Sequence, residues 1–70
     1  MSARGDRGPF VVAPHGRPPF ATLRGLIQAE HAASTLARTT DGVVEVRDRE
    51  DYVLARYWRD GDGEVCWEIS

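Results

Sequence analysis

The sequence predicts a single α+β domain in which one helix packs on a three- to four-stranded antiparallel sheet, in the order β-α-β-β-β. Three observations predict it. A chain of 70 residues can bury one small core, but not two domains or a deep substrate cavity. Residues 22–38 place Leu23, Leu26, Ile27, Ala33, Leu36 and Ala37 near helical spacing. Residues 43–48, 52–59 and 64–69 are rich in β-branched and aromatic side chains, and Asp60-Gly61-Asp62-Gly63 between the last two is a strong hairpin signal.

Residues 1–8, MSARGDRG, are small, polar and glycine-rich, and are expected to form a flexible arm ahead of a domain at residues 9–70. The Arg4-Gly5-Asp6 tripeptide would need an extracellular setting to act as an adhesive motif, and nothing in the sequence supports one. PFVVAP, residues 9–14, has a β-branched centre between prolines and reads as a brief edge strand, because proline cannot donate to a ladder. HGRPP then turns the chain. Gly25 is a poor interior helix residue, so the helix begins either at Thr22 through side-chain capping or at Gly25, with FATL extended before it. Asp41-Gly42 ends it.

A symmetric closure of the hairpin would set Arg59 opposite Glu64, Trp58 opposite Val65, Arg56 opposite Trp67 and Leu54 opposite Ile69. Alternation along the strands then groups Leu54, Trp58, Val65, Trp67 and Ile69 on the face that the helix covers, joined by Val44 and Val46. Val53, Ala55, Tyr57, Arg59, Cys66 and Glu68 fall on the opposite, open face. Buried Trp58 and Trp67 and an exposed Tyr57 follow from that register.

All nine basic residues are Arg, and the net charge of -2 is unevenly spread. Residues 1–28 carry +3 and residues 41–70 carry -5. An acidic sheet half argues against nonspecific wrapping of nucleic acid, which needs a broad basic field. The lone Cys66 cannot form an internal disulfide, no apolar signal segment opens the chain, and no apolar run approaches the roughly 20 residues of a membrane span. A cytoplasmic protein with no membrane association is expected.

His15, His31 and Cys66 lack the spacing of a structural zinc site, and DGDGE lacks the remaining ligands of a calcium loop. Ser34, Cys66 and the two histidines form no recognisable nucleophilic arrangement, and no phosphate-binding loop is present. The expectation is a non-enzymatic protein without a cofactor or metal. Its partner-binding residues would be Tyr57, Arg59 and Arg47 on the open face, joined at the rim by Arg38 and His31 from the helix. The Arg-aromatic alternation in LARYWRD also suits stacking on RNA or single-stranded DNA, or simply an amphipathic strand with Arg56 over Trp67. In another mechanism Glu45, Glu64 and Glu68 would mimic phosphates.

The run from Gly25 to Ile69 resembles small type I anti-CRISPR proteins of phages. The similarity lies in the layout: Gln28-Ala29 and Ala33-Ser34 on the helix, Gly42-Val43-Val44, Val53-Leu54-Ala55, the Asp60-Gly61 turn and a closing strand with Trp67. It covers about two thirds of the chain, and Glu30 stands where that family uses a basic helix residue. The resemblance implies a stoichiometric inhibitor that binds a bacterial crRNA-guided surveillance complex and blocks target DNA. A small nucleic-acid-binding regulator and a phage structural protein that assembles through its sheet edges are the other two readings.

Overall fold

The structure, a computed structural model, describes residues 8–70. The expected arm, with its Arg4-Gly5-Asp6 tripeptide, lies outside the described residues apart from Gly8. The domain is α+β, with one helix on a five-stranded antiparallel sheet: β1 (Phe10–Pro14), β2 (Ala21–Leu23), α1 (Leu26–Ala37), β3 (Val44–Arg47), β4 (Val53–Arg59) and β5 (Val65–Ile69). The strand order is β2-β1-β3-β4-β5.

Of the two helix starts open in the sequence, the later one is adopted. Gly25 is the N-cap in an extended conformation and makes no side-chain cap. The residues before it form β2, which pairs back on β1 through a loop where Gly16 takes a φ of +75°. This corrects the reading of residues 9–14 as an edge strand. Pairing with β2 on one side and β3 on the other makes β1 an interior strand, and the bounding prolines sit before it and at its last residue.

The core forms where Phe10, Val12, Val44, Val46, Ala55 and Tyr57 meet Ala29, Ala33 and Ala37. The three alanines recur every fourth residue, so they stack on one helical stripe, and their small side chains let the helix lie close to the sheet. The helix packs over β1, β3 and β4, and less over β2. One helix is too narrow for five strands, and β5 extends past it.

The hairpin corrects the expected register. Asp60 donates its N–H to the Glu64 carbonyl at 2.9 Å, Gly63 donates to the Asp60 carbonyl at 3.1 Å, and Gly63 has a φ of +85°. The loop therefore holds three residues between a closing Asp60 and Glu64 pair. A turn followed by a left-handed glycine is the usual solution for that length. The Asp60 carboxylate fixes the loop by accepting the N–H groups of Asp62 and Glu64.

An odd loop shifts the pairing by one residue, which turns β5 over relative to β4. Tyr57 pairs with Trp67 and Ala55 with Ile69, while Trp58 pairs with Cys66. Tyr57 is therefore in the core at 7 % exposure, whereas Trp67 is 64 % exposed. Trp58 is half-buried on the face away from the helix. Expectations of a surface Tyr57 and a Trp58-Trp67 core are both overturned. Val44 and Val46 are buried as expected.

Candidate functional site

Two rows of paired residues cross the helix-side face. Val12, Val46, Ala55 and Ile69 form one, and Pro14, Val44, Tyr57 and Trp67 the other. Burial is nearly complete up to β4 and then fails at β5, where Ile69 is 60 % exposed beside Trp67. The last members of two core rows thus stand in solvent because the helix stops short of them.

Between α1 and β5 this leaves a groove of about 500 Å³ lined by Ser34, Arg38, Gly63, Glu64, Val65 and Trp67. Ser34 and Arg38 form its helix wall, and Ile27 and His31 continue the same helical stripe. Ile27 and His31 are exposed, and so is Arg38. Under the helix, burial pushes the Tyr57 hydroxyl pKa up, and the nearby Glu30 carboxylate pushes it further. Arg59 sits at the groove's end, where Nη1 donates to the Arg38 carbonyl at 2.9 Å and Nη2 to the Asp41 carboxylate at 2.7 Å. It satisfies a carbonyl at the helix C-terminus, where a cation is also favoured by the helix dipole.

The sequence-derived partner-binding residues are therefore divided. His31, Arg38 and Arg59 come together on the groove side. Tyr57 lies beneath the helix, and Arg47 lies on the opposite face. Trp67 and Ile69, expected in the core, are exposed on β5, and the hairpin's length is the sequence signal that bears on their facing.

On the open face, Ala13, Glu45, Arg56 and Glu68 are paired across the sheet. Glu45 is 4 % exposed although no second layer among the described residues covers it. His15 Nδ1 lies 3.0 Å from its Oε2, and Arg47 donates from Nε at 3.1 Å and from Nη2 to Oε1. Arg47 also reaches Asp51 at 3.1 Å. Burial alone would push the Glu45 carboxyl up, but hydrogen bonds and electrostatic attraction from Arg47 and His15 outweigh it and hold it below its usual pKa. Because the folded pKa is depressed, this stabilisation is complete above the ordinary value of 4.5 and is lost as pH falls through the folded value. Melting wild type and Glu45→Gln from pH 7 downward should show wild type more stable at neutral pH and the difference closing below about pH 4.5. A constant difference would place the carboxylate outside this network.

This face is a poor nucleic-acid platform. Arg47 is committed to two carboxylates, and Glu45 and Glu68 flank Arg56. Cys66 is also on this face, its thiol 3.8 Å from the Asp60 carboxylate. Local desolvation, with Asp60 and Glu64 nearby, pushes the thiol pKa up, against its acting as a thiolate nucleophile. Among the described residues, no helix is long and apolar enough to cross a membrane. No protein-family model matches the chain, and neither a curated protein nor a solved structure matches it significantly.

Proposed function

We propose that this protein works by occupying a macromolecular partner, without catalysis, and that the partner is a bacterial type I CRISPR surveillance complex whose DNA binding it blocks in the host cytoplasm. The observation that carries the binding reading is the exposed Trp67, lining one groove with Arg38, with exposed Ile69 two residues on along the same face of β5. Large rings next to arginine make favoured interface anchors, since each covers area and donates directional hydrogen bonds at modest entropy cost. The target itself is proposed on the layout shared with small phage anti-CRISPR proteins. The contact moves with the corrected register: Trp67 and Ile69 replace Tyr57 and Arg47, and Arg38, His31 and the outer edge of Arg59 are kept.

A mobility-shift assay with purified type I surveillance complexes and labelled target DNA tests this. Added protein should abolish the shifted band in proportion to its molar ratio, and Trp67→Ala combined with Arg38→Glu should restore it. No effect on several such complexes, together with direct binding to free DNA or RNA, would replace the inhibitor by a nucleic-acid-binding regulator.

A further inference from the structure

We propose that a second copy of this chain pairs along the free edge of β5, joining two sheets into one continuous antiparallel sheet about a two-fold axis at Trp67. The backbone is set up for it. Ser70 donates to the Leu54 carbonyl and Asp60 to the Glu64 carbonyl, which fixes the phase of the β4-β5 ladder. In that phase Glu64, Cys66, Glu68 and Ser70 face β4, and Val65, Trp67 and Ile69 turn their N–H and C=O groups outward. Those three residues also carry the apolar side chains that the helix leaves uncovered.

The strand is complementary to itself. Antiparallel pairing about Trp67 sets Val65 opposite Ile69 of the second copy and Trp67 opposite its counterpart, so apolar groups meet apolar groups on the helix side. On the other side Cys66 meets Glu68, and no like charges stand directly opposed. Glu68 already has Arg56 as its neighbour on β4. An unrelated strand could use the same backbone groups, but this apolar-polar-apolar-polar-apolar order matches its own reversal.

The two sheet edges are also treated differently. β2 has three residues and follows directly on Pro18, Pro19 and Phe20, which restricts pairing there. β5 has five residues with no proline or lysine, and an apolar residue at every outward-bonding position. An edge without such protection pairs readily with another strand.

This inference goes beyond the binding reading and is compatible with it. Pairing at the edge leaves Trp67 and Ile69 projecting from the helix-side face into a cleft between the two helices. With each helix centred over β3, five strand spacings set the helices about 24 Å apart.

Sedimentation equilibrium on the protein alone is the test, so its outcome is separate from any result with surveillance complexes. Mass should rise from 7.8 kDa towards twice that between low-micromolar and near-millimolar concentration. Ile69→Pro removes an outward N–H that β4 does not use, and Trp67→Lys brings two ammonium groups together. Both variants should stay monomeric while keeping a cooperative melt. Pairing also sets the two Cys66 residues diagonally, about 8 Å apart. A short bismaleimide should link wild-type chains and fail with Ile69→Pro, a readout that does not depend on the mass analysis. A monomeric mass at every concentration would overturn the proposal and give the edge to another protein's strand. A dimer that survives both substitutions would overturn it equally.

Discussion

Tyr57→Ala should cost about 3 to 5 kcal/mol, the range for removing a large ring from a packed core. A small domain holds only roughly 5 kcal/mol or slightly more in total, so the variant should be largely unfolded at room temperature. The ring is 7 % exposed and lies between Val44 and Trp67 in the sheet, with the alanine stripe of the helix above. Tyr57→Phe should stay within about 1 kcal/mol, because it keeps the buried ring and removes only the hydroxyl. Trp67→Ala, measured at low-micromolar protein, should change stability by less than about 1 kcal/mol, since most of that side chain is already in water. Urea denaturation of the three variants is decisive. If Trp67→Ala proves the damaging substitution and Tyr57→Ala the mild one, the hairpin has the even register after all.

Ala33→Leu should be the second most damaging change, at about 1 to 3 kcal/mol. Ala29, Ala33 and Ala37 are all fully buried, and Ala33 is the middle of the three. A leucine there has no space unless the helix lifts from the sheet, and lifting it loosens contacts with β1, β3 and β4 together. Thr35→Leu, two positions away on the exposed side of the helix, adds similar bulk without meeting the sheet and should be nearly neutral. Thermal melts of the pair isolate the effect of close approach from that of helix propensity.

These predictions separate what could be read in the sequence from what could not. The helix was legible because five apolar residues, from Leu26 to Ala37, repeat near its period, although Leu23, grouped with them by spacing, belongs to β2; β3, β4, β5 and the turn between the last two were legible too. Strand identity does not determine which way a strand faces. That depends on whether the loop has an odd or even length, and here it holds three residues, closed by a left-handed Gly63 and the Asp60 carboxylate. Gly61 and Gly63 are equally able to adopt positive φ, so the letters allow either outcome. β2 was foreseen only as an extended alternative for FATL and not as a paired strand, because three residues between prolines and a glycine are too few to show any alternation and take their place by pairing with β1.

The candidate site was legible in proportion to how local its geometry is. Arg38 and His31 follow from helical spacing alone and lie at the surface as expected. Arg59 needed the helix C-terminus to be located, and Glu45 needed His15, thirty positions earlier in the chain. No pattern within one strand could indicate that an acid on an open face would be among the least exposed residues.

The contrast between the sheet's two edges has a further consequence for assembly. A strand that pairs with its own counterpart about a two-fold axis uses up the bonding edge of both chains in one contact, so the association is isologous and closed. Growth beyond two chains would require the opposite edges to pair as well, β2 with β2, producing an open-ended array with no natural end. The three-residue β2 and the Pro18-Pro19 pair ahead of it deny that second contact. An edge-to-edge β protein that would otherwise risk forming fibres is thus limited to a species of defined size, with its short proline-flanked strand acting as the terminator.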